Sequence, residues 1–276
     1  MSSFATEGRA LERARPLSSR ARAALRRGAL GALSRLPRSS GPGVRVVHYH
    51  YVFDDERERF AEQLRFLARE FSPVSLSQAV ERLRLGQTVG DEVVVTFDDG
   101  FRDFHDHALP LLVQHRVPAL LYLATGFVRN GGPSGSPPAL SWLQLEEAVG
   151  TGLVTVGSHT HSHASLAGAT ERRAEEEMRR SKELIEDHLG VACRHFAYPW
   201  NVGSEAADRA ARRLFDTVAW DAWRTNRRGR IDHHRLGRTP VLRNDGRLFF
   251  RAKVRGRLDG ERHVYRALRR GPWRSP

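Results

Sequence analysis

Val93-Val94-Val95-Thr96-Phe97-Asp98-Asp99-Gly100 is a β-branched apolar run that ends in two adjacent carboxylates and a glycine. Such a run reads as a buried strand, and Gly100 releases the chain into a turn. Two neighbouring carboxylates at a strand end each need a cation, a metal or a hydrogen-bond donor to stay ionised. One of them can then supply an oxygen to a metal while the other handles protons. A solvated strand-end turn, where Asp and Gly are common, is the plainer reading of the stretch alone. Its surroundings have to decide between the two.

Outward from this strand, short apolar segments alternate with helical patterns. Val44 to His50 reads as a strand with Val44, Val46, His48 and His50 on one face, followed by a helix around Glu58 to Glu70. Ser77 is the expected cap of a helix running to Leu85, and Asp103 to His115 reads as a helix that Pro110 must kink or divide. Ala119 to Ala124 and Leu153 to Val156 read as strands, and Ser141 caps a helix between them. Thr170 to His188 is the longest helical pattern, with Ala174, Met178, Ser181 and Ile185 as its inner stripe. Further strands are expected at His195 to Tyr198, Asp216 to Trp220 and Gly237 to Leu242, with a helix from Glu205 to Leu214. This alternation through residues 44 to 245 is that of parallel βα units, whose sites lie where strands end in loops.

The 276 residues carry a net charge of +13, almost wholly from arginine, since lysine occurs only at Lys182 and Lys253. No nucleic-acid motif lies beneath that charge, so no nucleic-acid partner is expected. Cys193 is the single cysteine, which excludes an intrachain disulfide framework and a cysteine zinc site. Residues 1–43 form a basic Arg- and Ala-rich extension, either an amphipathic helix on an anionic membrane surface or a disordered segment. It lacks an apolar run of signal-peptide or transmembrane length. The expected location is therefore cytoplasmic or peripheral at the membrane. The catalytic domain is expected over residues 44–250, with a basic tail over 251–276.

A second constellation follows Val156: Ser158-His159-Thr160-His161-Ser162-His163. On a helical turn, His159 and His163 would project from one side and reach a single metal together with Asp99. Alone, that spacing in a chain with 13 histidines reads as surface histidines. His161 would point elsewhere, in a structural role. A third piece, Phe196-Ala197-Tyr198-Pro199-Trp200-Asn201, offers rings to wall a groove and an N–H for an oxyanion, or is a plain core strand ending at a proline.

Taken together, these residues resemble the polysaccharide deacetylases of carbohydrate esterase family four. Thr96 to Gly100 is similar to the family's first motif, His159 to His163 to its second, and Phe196 to Asn201 to its third. Tyr49-His50 followed by Val52 resembles the branch acting on β-1,6-linked N-acetylglucosamine polymers. The resemblance implies an α/β fold, a distorted (β/α) barrel, and hydrolysis of an N-acetyl group on an amino sugar. It also implies Asp98 as catalytic base and Asp99, His159 and His163 as ligands of one divalent metal, zinc by expectation. Tyr198, Pro199 and Trp200 would form the substrate-binding and oxyanion side. Two departures stand out: many members carry an arginine where this chain has Ala197, and Asn201 replaces a common glycine.

The general acid is expected to be His50, at the end of the first strand, with His233-His234 as the alternative. The substrate is expected to be an N-acetylated glycan or glycolipid precursor. Two other functions remain open from sequence: an O-acetyl esterase or small-molecule amidase on the same fold, and a non-catalytic glycan-binding relative.

Overall fold

The computed structural model describes residues 43–87, 91–133, 136–220, 224–227, 232–243 and 245–259, together with Gly28 and Gly31. The sequence expectations for residues 1–42 and 260–276 lie outside the described residues. Nine strands and eight helices are described. The strands are β1 (Gly43–Tyr49), β2 (Ser72–Pro73), β3 (Asp91–Asp99), β4 (Ala119–Leu123), β5 (Val154–Ser158), β6 (His195–Ala197), β7 (Thr217–Trp220), β8 (Asn226–Arg227) and β9 (Leu236–Pro240). The helices are α1 (Arg57–Glu70), α2 (Leu76–Arg84), α3 (Leu109–His115), α4 (Thr125–Asn130), α5 (Trp142–Gly150), α6 (Glu171–Leu189), α7 (Glu205–Leu214) and α8 (Arg247–Val254).

Seven strands run parallel in the order β3-β4-β5-β6-β7-β9-β1, and β1 pairs back onto β3 to close a barrel. The closure is distorted, because β5 and β6 share only the Ser158–Phe196 pairing. The two-residue strands β2 and β8 lie outside the ring, β8 antiparallel to β1.

Strand alternation sorts the apolar residues into two cores. Val44 and Val46 of β1, Val94 of β3, and Leu120 and Tyr122 of β4 meet inside the barrel with Ala197, Ala219 and Leu236. Leu76, Ala79 and Leu83 of α2 join that cluster, so α2 packs against the barrel interior. The alternate residues, Val47, Tyr49, Val93, Val95, Phe97 and Leu121, face outward beneath the helices. Ala174, Met178 and Ile185 of α6 are buried there, with Thr170 capping that helix and Gly190 ending it in the left-handed region.

The local structure bears on three of the expectations. Ser75, not Ser77, caps α2, because Ser75 and Gln78 form a reciprocal capping box. Pro110 divides the helical run as expected: a wider π-turn spans Phe104–Ala108 and regular α3 begins at Leu109, with the proline in its first turn, where a missing N–H costs nothing. Packing also runs on past residue 250. Lys253 is fully buried, donating to Pro240 O at 2.9 Å and pairing with Asp245 at 2.5 Å, and Arg45 pairs with Asp259 at 2.7 Å. An arginine-rich segment hides these apolar and paired positions from a composition reading.

Candidate active site

Strand periodicity places Val94, Thr96 and Asp98 on the inner face of β3, so Asp98 points into the barrel mouth. The chain then turns through Asp99 at φ +75° and Gly100 at φ +93°. A side chain at residue 100 would collide with Leu123, so glycine is required there on both conformational and steric grounds. This turn lets two consecutive carboxylates serve different partners.

Asp98 receives two hydrogen bonds from Arg238 of β9, at 2.5 and 2.9 Å. Both side chains are 2–3% exposed. Burial alone would raise the Asp98 carboxyl, but the Arg238 guanidinium beside it holds it well below the usual carboxylate range. Asp98 is therefore an ionised acceptor with its orientation fixed. Arg238 does what the position of Ala197 cannot, and the sequence reading missed it. The available signal was weak: Arg238 shares a strand face with Leu236, but arginine is everywhere in this chain.

Asp99 Oδ1 lies 3.1 Å from His163 Nε2 and 3.5 Å from His159 Nε2. The two histidines do not sit on a helical turn, as the four-residue spacing predicted. They lie in the loop after β5, where Thr160 (φ +66°) and His163 (φ +57°) are left-handed and fold the second ring back to within 5.1 Å of the first. His159 Nδ1 lies 2.8 Å from Ala197 O, which sets that nitrogen as the donor and leaves Nε2 facing Asp99. Burial lowers His159 to about 4, so the ring is neutral and able to ligate. Asp99 Oδ1 is buried and faces the two ring nitrogens without a hydrogen bond of good geometry. That oxygen and two imidazole nitrogens, all within 4.8 Å of one another, fit a divalent cation in a mixed N and O site. His161 is turned away to Thr125, at 2.9 Å, in the structural role expected of it.

These groups line a cavity of about 410 Å³ at the carboxyl ends of the strands. Tyr198 and Trp200 line it, whereas Pro199 is buried outside the lining. The Tyr198 hydroxyl donates outward to Asp208 at 2.8 Å. Trp200, left-handed at φ +58° and 41% exposed, stands edge-on to His163 at 4.9 Å. His50 lies one residue past β1, in an exposed bend, and a nitrogen of its ring is within 4.8 Å of a carboxylate oxygen of Asp98. His233 and His234 precede β9 and thus lie at the opposite end of the barrel, where His234 contacts Phe215 O at 3.0 Å. The cavity also contains residues that sequence reasoning did not single out. His48 is buried on the inner face of β1, 5.4 Å from the His50 ring. Tyr51, Phe101 and Phe127 form one aromatic wall, stacked at 5.1 and 5.8 Å.

Residues 86–215 match the family model described as polysaccharide deacetylase. Over 169 residues the chain is 25% identical to the poly-β-1,6-N-acetyl-D-glucosamine N-deacetylase of Staphylococcus epidermidis, covering 58% of this chain and 57% of that protein. An uncharacterized protein of Bacillus subtilis is 28% identical over 119 residues, 43% of this chain. The chain spans 34% to 57% of the length of these curated relatives. Among solved structures, IcaB from Ammonifex degensii is 30% identical with a TM-score of 0.68, over 79% of this chain and 98% of that one. The Streptococcus pyogenes deacetylase PplD, 21% identical with a TM-score of 0.66 over 74% of this chain and 95% of that one, shares the fold. With its barrel matching the IcaB structure over 98% of that chain at 30% identity, and the paired aspartates and histidines gathered at its mouth, the chain belongs to the polysaccharide deacetylase family.

Proposed function

We propose that this protein hydrolyses the N-acetyl group of an N-acetylglucosamine-like sugar in a glycan or glycolipid precursor, with Asp99, His159 and His163 holding one divalent metal ion. The observation that carries the reading is the buried Asp99 oxygen facing two imidazole nitrogens, beside an ionised Asp98 in the same cavity. A divalent ion bound there, zinc by its donor set, supplies Lewis-acid polarisation of the acetyl carbonyl and lowers the pKa of water.

The chain's own groups divide the remaining work. Asp98, held ionised and oriented by Arg238, accepts a proton from the water that attacks the acetyl carbon. Its low basicity limits it to a reaction in which that water is already acidified. The backbone N–H of Tyr198 donates to the developing oxyanion. As the carbon–nitrogen bond breaks, His50 gives a proton to the departing amine, leaving acetate and the free amino sugar. His50 suits that role through its exposure and its proximity to Asp98. The expected partners beyond the glycan are an anionic membrane surface for residues 1–43 and no nucleic acid.

The test is acetate release from a panel of N-acetylglucosamine oligomers, lipid-linked N-acetyl sugars and O-acetyl esters, using chelated and metal-reloaded protein. Metal-dependent release from N-acetyl substrates is expected. Release from O-acetyl substrates alone would transfer the protein to the esterases.

A further inference from the structure

His50 stands just beyond the sheet that orders the rest of the site. Register fixes β1 against β3 as far as the Tyr49–Phe97 pair, one residue before Asp98. Residues 50–53 then run without helix or strand to the turn at Asp54–Glu56, and His50 itself is exposed. An exposed ring on irregular chain keeps backbone and rotamer freedom unless its neighbours remove it.

The group that holds this segment is a carboxyl with no other part in the site. Asp103 Oδ2 accepts from the backbone N–H of Val52 at 2.7 Å, and the two residues are 4% and 2% exposed. Among the described residues Asp103 Oδ1 has no hydrogen-bond partner, so Val52 is where this carboxyl acts. Asp103 is itself anchored. The turn that carries it is pinned by Arg102 N donating to Pro138 O at 2.8 Å and Leu140 N to Gly100 O at 3.0 Å. It immediately precedes the π-turn, whose Phe104 packs edge-on to Phe97 at 4.9 Å. Tyr51, between His50 and Val52, stacks on Phe101 of the same turn at 5.1 Å.

These contacts form a closed ring. The Tyr49–Phe97 pairing closes it at one end and the Val52–Asp103 bond at the other. His50 lies on one side of the ring, and Asp98 and Asp99 lie on the other. We propose that Asp103 is a positioning residue for the proton donor: by holding Val52 it sets the His50 ring beside Asp98, fixing the acid relative to the base. The inference rests on the deacetylase reading, in which His50 protonates the departing amine. Breaking the clamp frees residues 50–53, while the Asp98–Arg238 pair and the Asp99, His159 and His163 cluster keep their own contacts. The loss therefore falls on the step that needs the acid.

The experiment measures kcat in wild type, Asp103→Ala, Asp103→Asn, His50→Ala and the Asp103→Ala/His50→Ala double variant, with two leaving groups. One substrate is an N-acetylglucosamine oligomer, whose amine leaves only when protonated. The other is an aryl acetate, whose phenolate leaves without a proton. Asp103→Ala is expected to lose about 10- to 100-fold on the N-acetyl substrate, with aryl acetate turnover within about twofold of wild type, as for a reacting group displaced by an ångström. Asp103→Asn keeps an acceptor for Val52 and is expected to restore the N-acetyl activity. Asp103→Ala is expected to add nothing to the loss in His50→Ala. Equal losses on both substrates in Asp103→Ala would show a general structural role and overturn the assignment. So would Asp103→Asn as impaired as Asp103→Ala, or losses that add in the double variant. Wild-type protein that releases acetate from the aryl ester alone, or from neither substrate, overturns the deacetylase reading and the role of Asp103 with it.

Discussion

Replacing Arg238 by methionine keeps the length of the side chain but removes both hydrogen bonds to Asp98. The pair is bidentate, at 2.5 and 2.9 Å, and both side chains are all but inaccessible to water. Stranding one member of such a pair costs about 3–5 kcal/mol, because the remaining charge stays buried without compensation. With urea, a domain of this size should lose roughly 1–2 M in its unfolding midpoint. Neutralising the other member relieves most of the loss, so Asp98→Asn/Arg238→Met should be more stable than Arg238→Met alone. The pH dependence has a definite sign. The depressed carboxyl of Asp98 contributes stability above its unfolded value of 3.8, and that contribution is lost as pH falls. Without Arg238, burial raises the carboxyl instead, so the penalty should be larger at pH 8 than at pH 5. Urea denaturation of wild type, both single variants and the double variant at those two pH values tests this. If the single losses simply add in the double variant, the pair carries no coupling and Arg238 is not the partner of Asp98.

His159→Ala should lose bound metal by elemental analysis while keeping the fold, and undiminished metal content would remove His159 from the ligand set. Asp98→Asn should retain metal yet lose on the order of 100-fold in turnover, as for a missing general base; near-wild-type acetate release would place the base elsewhere. Burial raises Asp103 to about 7, against a backbone hydrogen bond from Val52 that lowers it. This carboxyl therefore favours folding most below pH 3.8, and its contribution is lost as pH rises through about 7. Asp103→Asn keeps an acceptor for Val52 and should raise stability at pH 8 by up to about 4 kcal/mol, with little change at pH 4; an equal effect at both pH values would show that the carboxyl does not titrate there.

The barrel was legible because it depends on patterns that survive in one dimension. Val93 to Val95 and Ala119 to Leu123 are apolar runs too short for helices, and Glu171 to Leu189 repeats at 3.6 residues between a Thr cap and a Gly stop. What failed was local and three-dimensional. The π-turn before α3 has no one-residue signal, and Ser75 and Ser77 are equally good caps until Gln78 is seen to reach back. The closeness of His159 and His163 was anticipated for the wrong reason. Spacing of four pointed to a helix, whereas two left-handed residues in a loop bring the rings together. Left-handed conformations at Thr and His are uncommon, so no propensity argument would have placed them there.

Arg238 shows why the site was harder to read than the fold. A buried carboxylate at the end of β3 needs a cation within hydrogen-bond reach, but nothing requires that cation to come from a particular strand. In a closed barrel every strand contributes inward residues to the same mouth, so β6 and β9 are alternative sources for one guanidinium. Ala197 on β6 leaves the space, and its carbonyl instead fixes the His159 ring. Arg238, on β9 beside β1, fills the electrostatic requirement from the other side, over the Tyr122 ring at 5.2 Å. The group is thus defined in this chain by its destination at Asp98, not by its place in sequence order. A search restricted to the strand where an arginine is customary reports a gap that the folded barrel does not have.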